Sequence, residues 1–286
     1  MSINILSVQI YSDQNTPWDR SKIEFPVIPS NIKWPGNGCG LCNSLFKIIN
    51  SLSYLDSKKN NIYFDLISKD IEVGDAAPVS EILELSEMRS KYGYRIYDIT
   101  EFDYLNQEYK IYNDGFVFRA YNTNRDLFDI SLSHFIFNEK LEQLSKNLLI
   151  KKNLKNKQAN LVHLRIDADA KNHIVATSGM DAYLNLVDKY RIEINSICDK
   201  SLPLVILMDE TGHDLVKELR EKYDVTTFEK SDVLDLDSGI SGREIFALVD
   251  LLAGKNLIVE NYIGHIGSSF SIVLSKLVKS KKTTMI

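Results

Sequence analysis

The chain is poor in cysteine: only Cys39, Cys42 and Cys198 are present, too few for a disulfide scaffold and in keeping with a reducing compartment. Proline and glycine are also sparse, six and thirteen in 286 residues, which leaves little room for long disorder. No window stays apolar for the roughly eighteen residues a membrane span requires, and the start, Met-Ser-Ile-Asn-Ile-Leu, has no basic stretch ahead of an apolar one. The expectation is a soluble protein, either cytoplasmic or trimmed of a signal or anchor. Positive charge is lacking as well. Lys and Arg total 34 against 39 for Asp and Glu, a net charge of -5, which argues against a broad nucleic-acid-binding surface. An anionic ligand would require a local basic pocket.

What the chain does have is an ordinary globular balance, 44% hydrophobic and 26% charged, and enough length for one large domain or two of usual size. Two are predicted, 1–150 and 151–286, with the basic run Lys151-Lys-Asn-Leu-Lys-Asn-Lys-Gln as a solvated crossing between them. In the first half, Ile3 to Ile10 reads as a strand. A glycine-rich turn from Trp34 opens into a helix with Leu45, Ile48, Ile49 and Leu52 at helical spacing, and Ile62 to Ile67 reads as a strand. Val79 to Lys91 and Leu127 to Leu149 each read as one helix, and Tyr94 to Ile99 as a short strand. Glu101 to Asn122 has no firm period. The second half alternates regularly: strands at 161–166, 202–208, 225–228 and 256–262, helices at 179–198, 213–223, 241–253 and from about Gly267 to Lys279. Such alternation predicts an α/β fold with parallel sheets.

Chemistry concentrates at Leu161 to Ala170, Leu-Val-His-Leu-Arg-Ile-Asp-Ala-Asp-Ala. In an extended segment His163 and Arg165 project from one face. Burying both is tolerable if an anion or hydrogen-bonding group meets them, and the carboxyl end of a strand is where α/β folds hold ligands. The alternative is that both simply pair with neighbouring carboxylates, Asp167 and Asp169 among them. The second block, Gly267-Ser-Ser-Phe-Ser, joins a strand to a helix. Ser268 and Ser269 beside first-turn amides suit phosphate oxygens, although either serine also suits an N-cap. In a parallel sheet both blocks fall on one rim, so a diphosphate would sit between Arg165 and the helix amides. Asp250, on the preceding helix, is either a group that meets a nucleobase N–H edge or a solvated carboxylate.

These blocks carry a family resemblance. Gly40-Leu-Cys-Asn-Ser-Leu-Phe, followed by Ile62-Tyr-Phe-Asp, resembles the Gly-x-Gly-Asn-Gln-Leu-Phe opening of fucosyltransferases that use GDP-fucose. His163-Leu-Arg-Ile-Asp-Ala-Asp is similar to the His-x-Arg block of that superfamily, above all its protein O-fucosyltransferase branch. Ile206-Leu-Met-Asp-Glu resembles its strand ending in Thr-Asp-Glu, and Ala247 to Asp250 through Gly267-Ser-Ser-Phe-Ser its terminal element. Four blocks in order span Pro35 to Leu277. The resemblance implies a GT-B-like fold of two Rossmann-like domains with parallel sheets facing a cleft, the first taking the acceptor and the second the nucleotide sugar. It also implies inverting transfer of fucose to a glycan or protein hydroxyl, with no metal and no other cofactor. By residue, Arg165 would hold the diphosphate and stabilise the leaving group. Ser268 and Ser269 would bind phosphate, Phe270 would pack on base or ribose, and Asp250 would read the base edge. His163 and Gly40 would line the donor site, and Asn43 would reach in from the first domain.

The sequence departs from the family pattern at Cys42 in place of its second glycine, Ser44 in place of its Gln and Met208 in place of its Thr. Donor identity therefore stays open, a UDP-sugar being the other expectation. Gly40 stands where some relatives keep a Glu base, so Asp167 and Asp13 are the carboxylates considered for taking the acceptor's proton. Three other readings compete. Asp167-Ala-Asp169 matches the metal-binding pair of GT-A glycosyltransferases, Cys39-Gly-Leu-Cys42 superficially matches a redox pair, and loss of the base would leave a protein that only binds a glycan or a partner.

Overall fold

The computed structural model describes residues 3–6, 41–54, 58, 61–64, 66–70, 75–101, 109–112, 121–122 and 124–286. Trp34, Cys39, Gly40 and Asp13 lie outside them. The chain divides into two compact units, Met1–Leu141 with Ser241–Ile245, and Glu142–Ile240 with Phe246–Ile286. Each is built on a parallel sheet, so the molecule is α/β as the alternation predicts.

In the first unit, β1 (Ile3–Leu6), β2 (Ile62–Phe64), β5 (Ile96–Asp98) and β6 (Tyr109–Tyr112) form one parallel sheet in the order β5-β2-β1-β6. β3 (Ile67–Asp70) and β4 (Asp75–Ala77) form a separate antiparallel pair. The predicted first helix is α1 (Leu41–Tyr54), and its apolar stripe of Leu45, Ile48, Ile49 and Leu52 is buried. Phe46 of this helix meets Phe128 of α3 (Arg125–Ser133), ring centroids 4.8 Å apart.

Two predicted helices are broken here, for one reason. Val79 to Lys91 resolves into a 3-10 turn (Val79–Glu81) and α2 (Leu85–Tyr92), while Leu127 to Leu149 resolves into α3 and α4 (Glu139–Lys151). The residues at the two breaks pair with each other. Glu84 N donates to Ile136 O at 2.7 Å, Asn138 N donates to Ile82 O at 2.8 Å, and Leu83 bridges Phe137. Burying Leu83, Phe135 and Phe137 against the core outweighs the helical bonds these backbones would otherwise make.

The second unit holds β7 (Gln158–His163), β8 (Leu204–Leu207), β9 (Val225–Thr227), β10 (Ile258–Gly264) and β11 (Ser280–Met285) in the order β11-β10-β7-β8-β9, all parallel. Its helices are α5 (Ala168–Ser178), α6 (Met180–Ile197), α7 (Asp214–Arg220), α8 (Lys230–Leu234), α9 (Arg243–Asn256) and α10 (Ser269–Leu277). α5, α8 and β11 go beyond the sequence reading. β11 presents Lys281 and Lys282 on a sheet edge, where charge guards against pairing and masks the apolar pattern of a strand. The basic run is more than a connector: Lys151 reaches Asp235 at 2.8 Å and Asp232 at 3.2 Å, and Lys152 also pairs with Asp232. Asn153 and Asn156 turn the chain with positive φ, 55° and 61°. Among the described residues no helix is long and apolar enough to cross a membrane.

Candidate functional site

The strand order of the second sheet marks a place for a ligand. From β7 the chain winds outward through β8 to β9, then returns to place β10 and β11 on the other side. The order reverses between β7 and β10, and in open parallel sheets the crevice beyond such a reversal is where ligands bind. β7 and β10 pair as far as Val162 and Ile263 and then part. The two sequence blocks flank this fork: His163 to Asp169 leaves β7, and Gly264 to Ser271 leaves β10.

Two tyrosines on α6 hold the β7 side open. Beyond Val162 the strand has no β10 partner, and the Tyr190 hydroxyl takes its place. It donates to His163 O at 2.9 Å and accepts from Arg165 N at 3.2 Å. Tyr183, two helical turns earlier, donates to Ile166 O at 3.0 Å and meets His213 Nε2 at 3.0 Å. His213 Nδ1 accepts from Leu215 N at 3.1 Å, so in the neutral ring the proton sits on Nε2 and is given to the Tyr183 oxygen. The backbone on both sides of Arg165 is thus pinned to one helix face.

Arg165 itself is one-third exposed and faces its own carboxylates. Nη1 lies 3.1 and 3.0 Å from the two Asp167 oxygens, and Nη2 lies 2.7 Å from Asp169 Oδ2. Burial works against the guanidinium charge, but Asp167 and Asp169 outweigh it and make Arg165 more basic than usual. Asp167 is buried, and its Oδ1 also accepts from Ala170 N at 2.9 Å, capping α5. Its oxygens are occupied, a geometry suited to orienting Arg165. A divalent ion at Asp167 and Asp169 would have to displace the guanidinium between them, and among the described residues no group of three or more His, Cys, Asp or Glu is placed to hold a metal. Cys42 is buried, and burial first, then the charge of Glu244, push its thiol far above the usual range. Burial of this kind disfavours the thiolate that the redox reading requires at Cys42, and Cys39, its other half, lies outside the described residues.

On the β10 side, Gly264 is required by close approach: a Cβ there would lie 2.5 Å from Tyr262 Oη and 3.0 Å from Ser271 Cβ. Ser268 is the N-cap of α10, its hydroxyl accepting from Ser271 N at 3.4 Å. The serine block therefore does cap a helix, and the first-turn amides at Ser269 and Phe270 have no partner within that helix. Ser271, fully buried, is the knot of the site. Its Oγ accepts from His265 N at 2.9 Å and meets His163 Nδ1 at 2.5 Å. The His163 ring packs against Phe270, centroids 4.5 Å apart. Desolvation, then the charges of Arg165 and His265, lower the His163 pKa to about 3, so the ring is neutral.

The structure thus brings His163, Ser268, Phe270 and Ser271 into one network, with Arg165 close enough to act on both histidines. Asp250, on α9, stands apart from these contacts. It is partly buried, and burial first, then the charges of Asp209, Asp232 and Glu229, raise its pKa well above the usual carboxylate range. Asn43 lies half-buried on α1 in the first unit. Sequence reasoning assigns no role to Ser271, His265, Tyr183 or Tyr190. The signal for Ser271 and His265 is their place in the serine loop. The tyrosines leave none, because aromatics at helical spacing read as core.

No protein-family profile and no curated sequence matches the chain. Solved structures do. POFUT1 in complex with GDP-fucose matches with a TM-score of 0.55 and 8% identity, over 99% of this chain and 97% of that one. NodZ alpha-1,6-fucosyltransferase soaked with GDP-fucose matches at 0.51 and 9%, over 97% and 93%. Identities this low speak to the fold: the chain has the fold of these fucosyltransferases, over nearly its whole length.

Proposed function

We propose that the protein is a glycosyltransferase, moving fucose from GDP-fucose to a hydroxyl of a glycan or protein with inversion. The observation that carries the reading is the fork between β7 and β10, from which the Arg165 segment and the loop into α10 both leave, in a fold shared with enzymes solved with GDP-fucose. In the reaction, the acceptor oxygen attacks the anomeric carbon from the face opposite the nucleotide. The bond from that carbon to the β-phosphate oxygen breaks, its electrons leave on the diphosphate, and the acceptor proton passes to a base. Arg165, Ser268, Ser269 and the amides of α10 are assigned to the departing charge. Asp167 is assigned to orient Arg165, since its oxygens already serve Arg165 and Ala170. Phe270 and His163 form the wall beside the nucleotide, Asp250 reads the base edge, and Asn43 belongs to the acceptor side. No metal or further cofactor enters the scheme.

The test is a thermal-shift titration with GDP, UDP, CDP and ADP, each with and without chelator. A ligand that binds only the native state raises Tm by mass action, by about 2.7 kcal/mol of stabilisation at a hundredfold excess over Kd. GDP alone should stabilise, with or without chelator, and Arg165→Ala should abolish most of that shift. Stabilisation by UDP instead would keep the fold and change the donor. Stabilisation that vanishes with chelator would refute the metal-free scheme.

A further inference from the structure

The β10–α10 loop carries a side chain with an unused hydrogen-bonding atom. His265 is held on every side. Its N–H goes to Ser271 Oγ at 2.9 Å and its carbonyl accepts from Ser268 N at 3.1 Å. The flanking Gly264 O and Ile266 N bond to Ile286 N and O at 2.9 and 3.0 Å. The ring is fixed as well. Gly267 N donates to Nδ1 at 3.2 Å, and Gly267 packs so closely that a Cβ there would lie 3.1 Å from Cε1 and 3.4 Å from Nδ1.

A backbone amide can only donate, so Nδ1 is a bare acceptor and the neutral ring carries its proton on Nε2. Desolvation, then the charges of Arg165 and Lys189, lower the pKa of this ring. His265 is partly exposed, and its Nε2–H has no partner among the described residues. We propose that His265 is a donor-binding residue, its Nε2–H directed to a diphosphate oxygen of the sugar nucleotide at the rim shared with Arg165 and the α10 amides. The assignment rests on the sugar-nucleotide reading above. A neutral donor adds a hydrogen bond to the anion without setting a second positive charge beside Arg165. With its proton on Nε2 and its Nδ1 lone pair engaged by Gly267 N, the neutral ring has no free lone pair with which to act as a base.

The experiment compares GDP with guanosine by calorimetric titration of the wild type, His265→Ala and His265→Gln, with melting curves to verify folding. His265→Ala should weaken GDP about tenfold, the effect of losing one hydrogen bond to a charged group, while guanosine binding changes less than about twofold. His265→Gln, whose amide also donates, should recover part of the loss. Equal losses for GDP and guanosine, or none for GDP, would overturn the assignment while leaving the sugar-nucleotide reading standing. A wild type that binds neither compound would overturn both. Nitrogen-15 shifts of the ligand-free ring test the tautomer independently of any ligand: a proton on Nε2 is expected, and one on Nδ1 would overturn the assignment.

Discussion

At the scale of single residues, Asp250 sets its proposed base-reading role against stability. A carboxylate pressed by burial and by Asp209, Asp232 and Glu229 holds its proton to higher pH in the folded chain than in the unfolded one. Its stabilising contribution is therefore complete below the ordinary carboxylate range and is lost as pH rises through the raised folded value. Asparagine has the shape of the protonated acid and no charge to desolvate. Asp250→Asn should thus be more stable than the wild type by on the order of 1 kcal/mol above neutral pH, the gap closing as pH falls toward about 4, and it should bind GDP less well. Urea denaturation at several pH values measures this, and a variant less stable at high pH would contradict it. His163 has the opposite sign. Lowered to about 3, it favours the folded state above its unfolded value and withdraws that support as acid protonates the unfolded chain, so the Asp250 effect is read from the difference between variant and wild type at each pH.

At the scale of elements, α6 is the part that gives the fork its shape. The Tyr190 hydroxyl supplies the hydrogen bonds a neighbouring strand would have made, and Tyr190→Phe removes only that oxygen from a fully buried ring. One such bond is worth roughly 0.5–1.5 kcal/mol. The Arg165 amide should exchange with deuterium several-fold faster in this variant, with the amide of Leu161, deep in β7, unaffected. Unchanged exchange at Arg165 would show that the loop does not depend on Tyr190. Elements like this separate what a sequence can express from what it cannot. β7, β8, β10 and α1 are legible because each buries a continuous or periodic apolar set in the core of its own unit. The breaks between α2 and its 3-10 turn and between α3 and α4 are not, because they result from Leu83 meeting Phe137, a contact more than fifty positions away. β11 is hidden for a related reason, since an edge strand with outward lysines has no period to read. The site is half visible: His163, Arg165 and the serines announce themselves by type, whereas Ser271 and Tyr190 act through distances that only the fold creates.

For the molecule as a whole, charge is the governing quantity. The chain carries -5, so its far field repels a nucleotide diphosphate, and attraction must come from a local cation. That cation is not idle. Asp167 and Asp169 already occupy the Arg165 guanidinium on both of its terminal nitrogens. On the proposed reading Asp167 orients this cation, and Asp169, the more exposed partner, is a resident competitor that an anionic donor would displace from Nη2. Affinity for GDP should then report the difference between diphosphate and the Asp169 carboxylate, and the same competitor should speed the departure of product in the proposed reaction. Asp169→Asn weakens the competitor that is more exposed to solvent. It should tighten GDP several-fold and slow its release in stopped-flow, and a faster release would show that Asp169 helps to hold the nucleotide. A transferase of the proposed kind built this way would trade grip for turnover.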